Sequence, residues 1–239
     1  MPNELSALAA ALAPLGLGAS AISFDGNFPS LAELRVNLTG ARFHRRMRLP
    51  DATGSGETAF SARCVKADAT PAYFETLPFT LSLQTGDAAF SSAPALIRSG
   101  KGTLELSATL ADLENTLLSL VRSAAEKQGA EAESVRLSLA TEGPRALALR
   151  ATATAKAMFF TAVLTLAGRI EITDALEARL CALTCSGDGM IANLAAGALR
   201  PKLASLEGRS FALRAFIPAL KELTLDTTNG LRLSAKFGG

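Results

Sequence analysis

Period-two alternation runs through most of this chain and restricts it to a fold built from half-buried strands. Leu77, Phe79, Leu81 and Leu83 occupy every second position, as do Leu34, Val36 and Leu38. Val135, Leu137 and Leu139 alternate with Arg136 and Ser138. Leu147, Leu149, Ala151 and Ala153 alternate with Ala148, Arg150, Thr152 and Thr154, and Phe160, Ala162, Leu164 and Leu166 continue the habit. Leu176, Ala178 and Leu180 follow, then Phe211 with Leu213, Leu223 with Leu225, and Leu231, Leu233, Ala235 and Phe237. Successive strand side chains point to opposite faces, so each run has one apolar and one wet face, as in antiparallel sheets. The stretch Thr227–Gly230, TTNG, reads as a tight hairpin turn.

Three segments break the alternation. Leu110, Leu113, Leu117, Leu120 and Val121 recur at offsets of three and four, which predicts a long helix over 107–128. Thr109 is placed to cap it, with Asp112 three residues on, and Gly129 to stop it. Leu5, Leu8, Leu12 and Leu15 predict a short amphipathic helix within residues 1–18. A third helix is expected from Asp188 to Leu206, with Ile191, Leu194, Leu199, Leu203 and Leu206 apolar and a kink or split at Pro201. The polar segment 51–57, DATGSGE, reads as an exposed loop. No shift of composition marks a boundary, so residues 1–239 are taken as one α+β domain.

Long half-apolar strands must cover their greasy face. A highly curved antiparallel sheet wrapped around the long helix does so. Where helix and sheet leave a gap, the gap is dry and suits an apolar ligand.

Composition removes several functions. The net charge is +2 in 239 residues, which argues against a polyanion binder. With no Trp, one Tyr and twelve Phe, a base-stacking surface is not expected, and no nucleic acid is assigned as partner. Cys64, Cys181 and Cys185 are read as buried small apolar residues. Cys181 and Cys185, four apart on one strand, would lie about 13 Å from each other, too far for a disulfide. One His and no CxxC give no metal site. The chain lacks a GxSxG elbow, and Ser186–Gly189 lacks a P-loop lysine, so no catalytic residue and no enzymatic activity are assigned. Residues 5–20 resemble a signal core but follow Met1, Pro2, Asn3 and Glu4, with no basic start, so a helix is preferred to a targeting segment.

The second half resembles a known family. TLADLENTLLSL (109–120), the paired strands VRLSLATEGPRALALRATATA (135–155), FFTAVLTLAGRIEI (159–172) and the terminal GLRLSAKF (230–237) are similar to the LmeA-like (DUF2993) family. The resemblance covers residues 30–237, most specifically 104–172. That family is regarded as similar to tubular lipid-binding (TULIP) domains, in which a curved antiparallel sheet wraps a long helix and acyl chains lie between them. The resemblance therefore implies non-catalytic binding or shuttling of phospholipid, fatty acid or another long-chain ligand, without cofactor. Family members commonly begin with a signal or lipoprotein segment. The compartment is left open between cytoplasm, organellar lumen and periplasm.

On this reading the groove is lined by Leu110, Leu113, Leu117, Leu120 and Val121 of the helix. Leu137, Leu139, Leu147, Leu149, Phe160, Leu164 and Leu166 line it from the central strands. Phe211, Leu213, Leu223, Leu225, Leu231 and Leu233 complete it. Arg42, His44, Arg46 and Arg48, alternating in RFHRRMR, are the candidate contacts to lipid headgroups or a transient membrane surface. The alternative is a scaffold of the same fold with a filled core and no ligand. Long strands also leave edges that a second copy, as a homodimer, would cover.

Overall fold

The computed structural model describes residues 3–44, 58–91, 96–127, 129–157, 160–213 and 220–238. The 51–57 loop and the basic positions Arg46 and Arg48 lie outside these residues. In chain order the elements are α1 (Asn3–Leu12), two 3-10 turns, β1 (Ile22–Asn27), β2 (Ser30–Asn37), β3 (Arg42–Phe43), β4 (Thr58–Phe74), β5 (Leu77–Ser91), β6 (Leu96–Arg98) and β7 (Gly102–Ala108). Then come α2 (Leu110–Glu126), β8 (Glu131–Thr141), β9 (Ala146–Ala157), β10 (Phe160–Ile172), β11 (Glu177–Asp188), α3 (Met190–Ala204), β12 (Ser210–Ala212), β13 (Leu220–Asp226) and β14 (Leu231–Phe237).

The architecture is α+β and mostly sheet, with two sheets that do not close on themselves. One runs β1-β2-β4-β5-β7-β14-β13, with β3 on β4 and β6 on β5; the other runs β12-β11-β10-β9-β8. The described pairings are antiparallel except those of β4 with β2 and β3, which are parallel. Alternation reports which face a residue takes and is blind to strand direction, so this mixture could not be read from the pattern. A helix wrapped by a sheet is not evident among the described residues.

The chain divides into two compact units, one of residues 1–107, 215–222 and 233–239, the other of 108–214 and 223–232. In the first, Leu8 of α1 packs with Leu31, Leu34, Phe60, Ala62, Val65, Ala88 and Phe90. Phe60 and Phe90 stack at 4.7 Å between ring centroids, and Phe28 meets Phe60 edge-on at 5.5 Å. Such pairs add to the area they bury. Leu15, the last residue of the predicted stripe, and Leu17 pack with Phe79 and Leu81 against Ala41, Ala69 and Ala72. Glu33 of β2 lies between Arg35 and Lys66, at 2.9 and 2.8 Å. Their hydrogen bonds, Arg35 first, pull its carboxyl down to about 2.

In the second unit α2 starts as its sequence predicts. Thr109 is extended, and its Oγ1 accepts the Asp112 amide at 3.1 Å. Gly129, at φ +69°, follows the last turn, and its amide bonds to the Glu126 carbonyl. α3 differs from expectation. It runs as one helix through Pro201, which neither ends nor splits it. The reason is local: the carbonyl that loses its donor belongs to Gly197, which is exposed like Pro201, so the freed group is not stranded in a dry core. Thr227–Gly230 forms the β13–β14 turn. A Cβ on Gly230, at φ +116°, would overlap the Ala108 carbonyl oxygen and sit 2.9 Å from the Leu110 amide.

Candidate functional site

The second unit's sheet sorts its residues into rows, because directly paired residues share a face. Val135, Ala153, Leu164 and Gly187 form one row across β8, β9, β10 and β11. Leu137, Ala151, Leu166 and Cys185 form the next. Leu139, Leu149 and Gly168 form a third, and Thr141, Leu147, Ile170 and Leu180 a fourth. Ala132, Ala155 and Ala162 extend the face at the other end. Every row is apolar apart from Thr141. The small side chains of Ala151, Ala153 and Ala155 follow β9, with Leu137 and Val135 on one side of the first two and Leu166 and Leu164 on the other, and so make a shallow trough.

The opposite face carries Arg136, Ser138, Arg150, Thr152, Thr154, Thr165 and Arg169. Thr152 and Thr165 lie 3.4 Å apart, and Arg169 pairs with Glu142 and Glu171 at 2.7 and 2.8 Å. A hollow of about 340 Å³ on that side is lined by Ser138, Ala140, Glu142, Arg150 and Arg169.

Two helices bound the apolar face. α2 runs along the free edge of β8. Glu114 Oε1 accepts the Leu137 amide at 2.8 Å, and Arg122 Nε donates to the Ala132 carbonyl at 3.2 Å. These two side chains satisfy edge groups that would otherwise invite another strand. Replacing Glu114 with Ala is expected to cost about 1 kcal/mol, because the Leu137 amide loses an anionic acceptor. Chemical denaturation with concentration-dependent light scattering checks both the loss and the exposed edge.

α3 lies on β11 at the other side. A Cβ on Gly187 would overlap the Ala192 carbonyl group and stand 2.6 Å from the Asn193 amide nitrogen. Helix backbone therefore rests directly on the strand, and Ala192 and Ala196 are wholly buried there.

Between these helices the face is not closed. Ala132 and Val135 are buried where α2 runs, and Cys185 is buried under α3. Leu137, Leu139, Leu149, Leu164 and Leu166 are only half-buried, although β9 and β10 are interior strands. Interior strands of a covered sheet face bury their leucines. A cleft of about 540 Å³ opens next to this face, lined by Leu183, Thr184, Cys185, Arg200, Leu203, Ala204 and Glu207. That is within the size range of small-ligand sites. Its polar groups differ in state. Glu207 is occupied, accepting the Ala182 and Leu183 amides at 2.7 and 2.8 Å. Arg200 is in no ion pair among the described residues.

The sequence-predicted residues therefore divide. Leu137, Leu139, Leu147, Leu149, Leu164 and Leu166 share one face. Leu110, Leu113, Leu117, Leu120 and Val121 lie on α2, which has no buried residue, and Leu120 is 61% exposed. Phe160, at the start of β10, and Phe211, on β12, are exposed, and Leu213 is half-buried. Leu223, Leu225, Leu231 and Leu233 belong to the β13–β14 hairpin of the other sheet; the first two are buried. Of the basic set, Arg42 lies over the Tyr73 ring at 5.3 Å, and His44 Nδ1 is 3.4 Å from Glu75 Oε2. Arg46 and Arg48 lie outside the described residues.

Cys181 and Cys185 do not share a face, contrary to the expectation from their spacing. Ala182 adopts φ +53° and inserts a bulge, so Cys185 pairs with Leu166 while Cys181 pairs with Arg169. Cys185 faces the apolar side, buried, and Cys181 the polar side, half-buried. Arg200, the alanine trough and the two carboxylates bound to backbone amides were not picked out from the sequence. The alternation of alanine with threonine over 151–155 is the signal that marks the trough. No group of three or more His, Cys, Asp or Glu among the described residues could hold a metal ion, and no described helix is long and apolar enough to cross a membrane. No family model, curated protein or solved structure matches the chain.

Proposed function

We propose that the protein binds a long-chain apolar ligand, a phospholipid or fatty acid, without catalysis. The chain of the ligand lies along the alanine trough of β9 and reaches the cleft beside α3. One observation carries this reading: leucines on interior strands, Leu149, Leu164 and Leu166, remain half-exposed on an otherwise apolar face. Covering them removes apolar surface from water at about 0.8 kcal/mol per buried CH₂ of ligand. Arg200, at the cleft, suits a carboxylate or phosphate headgroup. The LmeA-like resemblance implies the same reading, with the apolar stripe of α2 beside the ligand as in TULIP domains. Transfer then needs no cofactor, since burial supplies the driving force.

Native mass spectrometry of protein purified from its source, and again after incubation with phosphatidylglycerol or palmitate, tests this. The expected result is a resolved mass increment of one lipid. A chain that carries no lipid and takes up none overturns the proposal.

A further inference from the structure

The surface of α3 is inverted. An amphipathic helix on a sheet normally turns its large apolar side chains inward. Here the inward residues are Ala192 and Ala196, because the helix backbone rests on Gly187. The large side chains point out: Met190 is 80% exposed and Leu194 71%, one turn apart, with Ile191 and Leu199 also exposed. Outward placement of this much apolar surface on one helix is the mark of a surface with its own apolar partner.

The charge on the helix selects that partner. Residues 190–204 contain no acid, and Arg200 and Lys202 occupy the C-terminal part of the helix. Neither forms an ion pair among the described residues. A second copy of this helix would bring no acid to meet them. A bilayer rich in anionic lipid offers both an apolar layer for Met190 and Leu194 and negative charge for the two cations. Arg200 also lines the cleft of about 540 Å³, so the same edge that meets the lipid surface opens into the proposed ligand site. We propose that α3 is a membrane-docking element, inserting Met190, Ile191 and Leu194 shallowly into an anionic bilayer. This deepens the lipid-binding reading and rests on it.

The chain contains no tryptophan, so Leu194→Trp installs its sole indole fluorophore. With vesicles of phosphatidylglycerol and phosphatidylcholine, its emission is expected to shift to the blue and to be quenched by bromine-labelled acyl chains. Phosphatidylcholine vesicles alone should bind about tenfold more weakly. In the otherwise native chain, Met190→Ser with Leu194→Ser should lower vesicle partition about tenfold or more. Lys202→Glu should lower it on anionic vesicles only. Uptake of palmitate from vesicle-free solution is measured on the same samples and is expected to persist, which also reports an intact fold.

Unchanged indole emission with vesicles overturns the docking proposal, as does equal partition of native and doubly substituted protein. So does a blue shift that depends on protein concentration without lipid, which would assign the surface to a second copy. Loss of palmitate uptake with insertion intact overturns the ligand reading and leaves the docking surface standing.

Discussion

Replacing Gly187 with valine is expected to destabilise the second unit by about 3 kcal/mol. Any β-carbon at this position overlaps the carbonyl group of Ala192 and approaches the Asn193 nitrogen to 2.6 Å. Neither obstacle is the end of a flexible side chain. Both are helix backbone, so relief requires α3 to lift from β11. Lifting it uncovers Ala192, Ala196 and Cys185, all buried in the native arrangement. Gly197, on the exposed side of the same helix, is the control. A β-carbon there meets nothing within 4 Å. Gly197→Ala should therefore stabilise by about 0.8 kcal/mol, through helix propensity alone. Urea denaturation of both variants checks the pair. Similar effects at the two glycines would sink the account of α3 resting on the strand.

Ala153→Trp is expected to lower acyl-chain uptake at least about tenfold while the fold is retained. Ala153 is half-buried at the floor of the trough, between Val135 and Leu164 in its row. An indole at this position fills the space assigned to the ligand without displacing native packing, since the face is open. Thr154→Trp places the same ring one residue along, on the polar face. It should leave uptake unchanged. Fluorescent fatty-acid titration compares the two, and a matching loss in both would show that the faces are not distinguished by ligand. The contrast also separates the carrier from a scaffold with a filled core, in which neither substitution has uptake to remove.

Much of this face was readable beforehand. Period two assigns Leu137, Leu139, Leu149, Leu164 and Leu166 to apolar sides of their strands, and hairpin order then aligns them. The α2 cap at Thr109 followed from one hydroxyl and one acid three residues apart. Three features were not readable, for different reasons. The parallel pairing of β2 with β4 leaves no trace in alternation. The bulge at Ala182 puts a positive φ on a residue that is neither Gly nor Asn, so no turn chemistry announces it. The orientation of α3 is the third. The sequence shows Ile191, Leu194 and Leu199 to be apolar but does not show that they face outward, because large apolar residues usually win the core. Gly187 instead lets backbone approach so closely that only alanine fits beneath.

Glu207 holds the two amides freed by the Ala182 bulge, from a position beyond the end of α3. The helix is thus moored twice to one strand, by glycine contact at its head and by this carboxylate just past its tail. The frame in which β11 is read is set by a residue twenty-five positions downstream. Excision of the single alanine would pair Leu183 with Gly168 in plain register and leave Cys181 opposite Arg169. It would also strip Glu207 of one of its two donors, so an edit to the strand becomes a displacement of the helix.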